Sequence, residues 1–181
     1  MKQSMTQVIT RKPIRVSYPN LLQPRQDTGK YGMTILLPKT DTETKAAIDA
    51  AVEAARKAAP ERGIKNPQTL KSPVHDGDGN RPSGEPYGAE CKGMWVINAS
   101  SKSKPGVVDR SRHYIDDETQ IYPGMWANVD INFYAYDGNG NRGIACGLNN
   151  VQKVKDDAAL GGRSRAEDVF GDIDDDEDDL I

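Results

Sequence analysis

Residues 125–154 constrain the fold more than any other stretch. In MWANVDINFYAYD the odd positions Ala127, Val129, Ile131, Phe133 and Ala135 are all apolar. Between them fall Trp126, Asn128, Asp130, Asn132, Tyr134 and Tyr136. A period of two is the signature of a strand with one face in a core. DGNGN follows, then the run RGIACGLNNVQKV. Two such runs joined by Gly and Asn, which tolerate positive φ, predict a long β-hairpin.

The rest of the chain supplies partners for that hairpin. KPIRVSYPNL reads as a strand with Ile14, Val16 and Tyr18 on one side and Arg15 and Ser17 on the other. YGMTILLP reads as a second, with Tyr31, Met33, Ile35 and Leu37 on one face and Pro38 at its end. Thr40-Asp41-Thr42-Glu43 has capping-box form, with Thr40 as the cap, and the Ala-rich run after it predicts a helix. Ile48, Val52, Ala55 and Ala59 line its inner face, Glu53 and Lys57 can pair outside, and Pro60 stops it. Residues 61–91 are rich in Gly and Pro and read as a long loop. KGMWVINAS and GVVDR read as further strands. There is no internal repeat. The order predicts a mainly β chain with one main α-helix, built as an OB-fold-like antiparallel β-barrel. A sandwich of similar strand count is the rival architecture.

Charge divides the chain of 181 residues in two. Residues 166–181 carry nine acids and no Lys or Arg, whereas residues 1–165 carry 24 bases against 18 acids, a net of +6. The expected division is a domain over 1–160 and a flexible acidic tail over 161–181. With 36% hydrophobic residues and a mean hydropathy of -0.72, the core must be modest. No apolar run is long enough for a transmembrane helix, and MKQSMTQVIT lacks the apolar stretch of a secretory signal, so a cytoplasmic location is expected.

The short motifs that resemble catalytic or ligand sites are weak. Gly138-Asn139-Gly140-Asn141-Arg142-Gly143 matches G-x-G-x-x-G, but a dinucleotide site needs a helix next, and Ile144 to Leu148 reads as strand. Asp76-Gly77-Asp78-Gly79-Asn80 opens like a calcium loop, yet Arg81 stands where Gly is required and Tyr87 where a bidentate Glu is required. Asp76 and Asp78, with Asp109, could instead hold Mg²⁺ in a nuclease or resolvase; turn chemistry is the plainer reading. Cys91, Cys146, His75 and His113 permit a zinc site by number only, since no pair has ligand spacing. No Ser–His–Asp or Cys–His arrangement is evident. Neither enzymatic activity, metal nor cofactor is expected.

The polar side of residues 125–136 is more informative. Three aromatics, Trp126, Tyr134 and Tyr136, stand there among amides. Bases of a single strand stack on such rings, each stack contributing about 1–3 kcal/mol. The plainer alternative is packing under the helix, under a loop or at a dimer interface. The segment SSKSKPGVVDRSRHY adds Lys102, Lys104, Arg110 and Arg112, with Ser100, Ser101 and Ser103 as donors. Trp95, Tyr122 and Lys153 complete the candidate nucleic-acid contacts. By itself the basic segment is a solvated loop; beside an aromatic face and on a basic body it points to nucleic acid.

RVSYPNL, WVINASSKSKPGVVDR and INFYAYDGNGNRGIACGLNNVQKV, followed by LGGRSRAEDVFGD, together resemble a family of phage-encoded single-stranded DNA-binding proteins. The resemblance covers about residues 15–172. It implies an OB-fold core with an acidic C-terminal tail, serving phage replication and recombination in the host cytoplasm. The tail could compete with DNA for the cationic surface, and Phe170, Asp174, Asp175, Asp176, Glu177, Asp178, Asp179, Leu180 and Ile181 could dock on replication or recombination proteins. Val169 and Ile173 could add to that apolar contact. Its charge could equally serve only solubility. Homo-oligomers are compatible with this reading. An acidic-tailed adaptor without DNA affinity is the other non-enzymatic alternative.

Overall fold

The computed structural model describes residues 4–160 and 170–173. The long hairpin forms as its alternation requires: β7 (Trp126–Gly138) pairs antiparallel with β8 (Asn141–Lys155) along its whole length. Asn139 (φ 53°) and Gly140 (φ 78°) make the turn, both in the left-handed region that a two-residue hairpin loop demands. Before it come β1 (Gln7–Ile9), β2 (Ile14–Asn20), β3 (Tyr31–Pro38), helix α1 (Thr42–Ala58), β4 (Val74–Asp76), β5 (Met94–Ser101) and β6 (Gly106–Val108).

Both edges of each hairpin strand are used. β7 pairs with β2 at Trp126 and Ala127, then with β1 at residues 130–132. β8 pairs with β5 at Cys146 and Gly147, then with β6 at residues 150–152. β2, β3 and β5 are consecutive antiparallel neighbours. The pairing therefore runs in a circuit, β7-β2-β3-β5-β8 and back to β7. Junctions of two residue pairs at β2–β7 and β5–β8 make it a partly closed barrel. The expected antiparallel barrel is thus mixed, because β8 runs parallel to β5 and β6. A ring of five strands cannot alternate direction all the way round, so one junction must be parallel.

The interior follows the sequence period. Ala127, Val129, Ile131, Phe133 and Ala135 are each 2% exposed or less, and pack with Ile14, Val16, Met33, Ile35, Leu37 and Ile97. Ile48, Ala51, Val52, Ala55 and Ala59 of the helical segment join the same core. The helix cap is Asp41 rather than Thr40. Its Oδ1 accepts from the Thr44 N–H at 3.1 Å and its Oδ2 from the Thr44 hydroxyl at 2.7 Å. A tight turn, Asp41 N–H to Pro38 O, brings Asp41 into the cap position. Glu53 pairs with Arg56 at 2.9 Å rather than with Lys57. Arg56 also donates to the carbonyls of Pro67 and Leu70, which holds it on that side of the helix.

Two further expectations change. Tyr18 does not share a face with Ile14 and Val16: the β2–β3 register shifts between Ser17 and Asn20, and Tyr18 stands 65% exposed at φ 45°. The left-handed backbone turns it outward at a local cost in strain. Residues 61–91 are not one loop. They hold β4, which pairs with β5, and 3₁₀ turns at Pro67–Thr69 and Ala89–Cys91. Among the described residues no helix is long and apolar enough to cross a membrane.

Phe133→Ala should destabilise the barrel by about 3–5 kcal/mol in urea denaturation, since the cavity would open at its centre. Tyr18→Gly should leave stability unchanged or raise it, because glycine adopts the left-handed conformation without strain.

Candidate nucleic-acid interface

The outer face of β2, β3 and β5 forms the floor of a groove. Gly32 lies so close to β5 that a Cβ would come within 2.5 Å of the Ala99 carbonyl oxygen. The Thr34 hydroxyl donates to Asn98 Oδ1 at 2.8 Å across the floor. A groove of about 850 Å³ runs over it. Tyr18, Arg25 and Lys30 wall one side, with Tyr31 at the end of β3; Arg81 and Tyr87 wall the other, beside His75. A shallower depression of about 300 Å³ continues past Lys102, Asn132 and Tyr134. Both are lined by Lys30 and Ser100, so they form one path from Tyr87 to Tyr134.

Rings and cations line this path together. The Arg81 guanidinium lies 4.9 Å from the Tyr87 ring centroid, and that of Arg62 lies 5.8 Å from Tyr134. Burial pushes the Tyr87 phenol up, so it stays neutral at physiological pH. Glycines in β8 let the β7 rings lie low: a Cβ on Gly147 would be 3.6 Å from Tyr134, and one on Gly143 3.1 Å from the Tyr136 hydroxyl. Lys30, Lys102 and Lys104 form no ion pair among the described residues. Two acids temper the charge. Asp27 holds Arg25 at 2.6 Å, and Glu90 lines the groove.

The structure divides the residues singled out from sequence. Lys102 and Tyr134 lie on the path; Tyr136 is exposed further along β7, and Lys104 is exposed in the β5–β6 loop. Trp126 and Tyr122 lie toward the other end of β7, eight residues or about 27 Å of strand from Tyr134. Asp130 interrupts the face between, accepting from Gln7, Asn149 and Asn150 at 2.7, 3.2 and 2.9 Å. Arg110 and Arg112 are exposed in a turn organised by Asp109, and Arg110 donates to the Val154 carbonyl, so they also sit at that far end. Trp95 is elsewhere. It shares the inner side of β5 with Ile97 and Ala99, under the Lys39 and Lys45 ammonium groups at 4.7 and 4.5 Å. Lys153 is 7% exposed and spent on Asp156 at 2.7 Å and Gln120 at 3.1 Å. Phe170 is exposed; Asp174, Asp175, Asp176, Glu177, Asp178, Asp179, Leu180 and Ile181 lie outside the described residues.

Sequence reasoning missed Tyr18, Tyr31, Arg81, Tyr87 and Lys30. Tyr18 precedes Pro19 at a bulge that strict alternation does not anticipate. Arg81 and Tyr87 fall in the Gly- and Pro-rich stretch, where an Arg and an aromatic six residues apart were the available signal. The metal readings lose their donors. Asp76 and Asp78 both accept from Lys39, at 2.6 and 2.7 Å, and that ammonium holds both carboxyls below the usual range. Asp109 bonds backbone N–H groups, chiefly that of His113, which lower its carboxyl. Cys91 and Cys146 are buried in separate clusters, and burial raises both thiols. Among the described residues no group of three or more His, Cys, Asp or Glu could hold a metal ion.

A short strap, residues 156–160, covers the far-end aromatics. Trp126 Nε1 donates to Asp157 at 2.8 Å, and the Tyr122 hydroxyl to Asp156 at 2.7 Å. Arg15 binds the Ala158 carbonyl at 2.9 Å, and the Leu160 N–H binds the Pro123 carbonyl at 2.8 Å. The bond from Lys153 lowers the Asp156 carboxyl, and that from Trp126 lowers Asp157. The ionised forms are the ones held, so the strap is intact above the ordinary value of 3.8 and is lost as pH falls through the lowered values. In a Trp95→Phe background, Trp126 fluorescence should stay constant from neutral pH to about pH 4 and change only below it. At neutral pH, Asp157→Asn should open Trp126 to acrylamide quenching; unchanged quenching would show that the strap does not shield the indole.

The family model described as "Enterobacter phage Enc34, ssDNA-binding protein" matches residues 6–181. The structure of the single-stranded DNA-binding protein from bacteriophage Enc34 in complex with ssDNA is 30% identical, with a TM-score of 0.70 over 89% of this chain and 97% of that one. Putative protein p50 of Acyrthosiphon pisum secondary endosymbiont phage 1 is 28% identical over 88% of this chain and 90% of its own length. The bacteriophage T7 single-stranded DNA-binding protein gp2.5 shares the fold at 17% identity, with a TM-score of 0.57 over 91% of this chain and 92% of that one. The long strings of residues, the five-strand circuit and the match across nearly the whole chain agree: this chain belongs to the Enc34 family of phage single-stranded DNA-binding proteins.

Proposed function

We propose that the chain coats single-stranded DNA without catalysis and with little sequence preference, along the path from Tyr87 to Tyr134. The observation that carries this reading is the gathering of rings and cations along one outer face of the barrel. Tyr18, Tyr31, Tyr87 and Tyr134 stack bases; Lys30, Arg81, Lys102 and Lys104 neutralise phosphates. Stacking is indifferent to base identity because every base has a π-face, and phosphate contacts carry no sequence information. An open groove also admits a single strand with unstacked bases, whereas a duplex keeps its bases inside. Residues 1–160 form the binding domain in this reading, and 161–181 a tethered polyanion that competes with DNA and, once displaced, recruits replication or recombination proteins.

The test is a salt titration of fluorescence anisotropy with labelled single- and double-stranded oligonucleotides. Single strands should bind more tightly, with affinity falling steeply as salt rises. Tyr134→Ala and Tyr31→Ala should each cost about 1–3 kcal/mol, and Lys102→Ala should flatten the logarithmic salt slope by about 0.7. Truncation after Arg165 should strengthen binding. If no form binds at low salt, the groove must instead be a protein interface.

A further inference from the structure

Lys39 is not among the residues lining the groove, yet one wall of the groove hangs on it. That wall is a small finger, residues 79–87, in which Asn80 bridges to Pro86 and the Arg81 N–H binds the Glu85 carbonyl at 2.7 Å. It presents Arg81 and Tyr87 to the groove. The finger holds no helix or strand of its own, and Tyr87 at its base packs against Leu36, Cys91 and Val96. Its root is fixed as well. Asp76 Oδ1 accepts from Lys39 Nζ at 2.6 Å and from the Asp78 N–H at 2.9 Å. Asp78 Oδ2 accepts from the same ammonium at 2.7 Å, while its Oδ1 accepts from the Gly93 N–H at 3.1 Å. The Lys39 N–H closes the loop on the Gly93 carbonyl at 2.9 Å. One end of segment 76–93 is thereby tied to the Lys39 side chain and the other to its backbone N–H and to Asp78, just past β3. Gly77 sits so tightly in this root that a Cβ would fall 2.0 Å from the Cys91 carbonyl oxygen and 2.6 Å from that of Met94.

We propose that Lys39 is a positioning residue for single-strand binding, clamping Asp76 and Asp78 so that Arg81 and Tyr87 stand ready as the groove wall. The proposal rests on the groove reading above. Lys39 itself touches no strand. Its ammonium lies over Trp95 on the helix side of the sheet, 4.7 Å from the ring, so it is both partnered and turned from the groove. Its part is to spare the wall the ordering cost it would otherwise meet on binding. A salt bridge so placed does little for overall stability, because it is partly exposed to solvent. Removing it should therefore be felt in binding before it is felt in folding.

Four forms of the full chain test this in the same anisotropy titration: wild type, Lys39→Met, Tyr87→Ala and the double variant. Lys39→Met should weaken single-strand binding by roughly tenfold with the salt slope unchanged, because no phosphate contact is lost. The double variant should lose less affinity than the two single losses combined, since a clamp acts only through the wall it holds, of which Arg81 alone then remains. Amide hydrogen exchange without DNA should quicken at residues 79–93 in Lys39→Met and not in the β7–β8 ladder. Lys39→Arg, which keeps the charge and can bridge both carboxylates, should restore most of the affinity. Should Lys39→Met fail to fold, Asp76→Asn combined with Asp78→Asn removes both ion pairs with almost no change in shape and should give the same pattern. A loss of affinity in Tyr87→Ala but not in Lys39→Met overturns the clamp alone. A salt slope that flattens in Lys39→Met overturns it in favour of a direct phosphate contact. Unchanged binding in Tyr87→Ala overturns the wall and the clamp together.

Discussion

The β7–β8 ladder is the interaction on which the rest of the structure depends. Thirteen residue pairs join the two strands, from Trp126↔Lys155 to Gly138↔Asn141. Register shifts at Trp126/Ala127 and Asp130/Ile131 increase its coiling, as bulges do. Coiling lets each strand change neighbours along its free edge, so β7 moves from β2 to β1 and β8 from β5 to β6. Closure follows from those exchanges, and with it the division between an apolar inside and a polar outside. Without the ladder the short strands β1 and β6 would have nothing to pair with.

The outer surface is shaped by how charge is spent. At the Trp126 end, Arg15, Lys153 and the two rings are engaged by Asp156, Asp157 and the strap carbonyls. At the Tyr134 end, Lys30 and Lys102 form no ion pair among the described residues. The same residue types therefore do different things at the two ends of one strand: they hold chain to chain at one and are open to a ligand at the other. Among the described residues, a negative strand would have to displace carboxylates to reach Trp126 and Tyr122, and none to reach Tyr134. This asymmetry favours the Tyr134 end of β7 over Trp126, which pairs with Arg15 of β2 and is already engaged, and it makes the 79–87 finger more important than its irregular sequence suggests.

Much of this was legible in residue order. Strict alternation through 127–135 named the inward residues, and Asn139-Gly140 named the turn, because both depend only on local backbone geometry. Helix α1 was legible for the same reason, though its cap moved to Asp41 once the turn from Pro38 was formed. Trp95 could have been placed inside by the same alternation through Ile97 and Ala99. What escaped was everything set by distant partners: the outward turn of Tyr18, the pairing of β4, and the parallel junction of β8 with β5 and β6.

By itself, then, the sequence determined the helix and the strands other than β1 and β4, most of the residues they turn inward, the contrast between a basic body and an acidic terminus, and the family. Periodicity, turn chemistry and charge are properties of neighbours along the chain, so order alone carries them. Only the tertiary structure decided which aromatics and cations are free to meet a ligand. Freedom of a side chain depends on what lies against it in space, and its neighbours there come from far along the chain: Asp157 against Trp126, Asp156 against Lys153 and Tyr122, Lys39 against Asp76 and Asp78. A ring or an ammonium reads the same in sequence whether it is exposed or already spent, and only packing distinguishes the two.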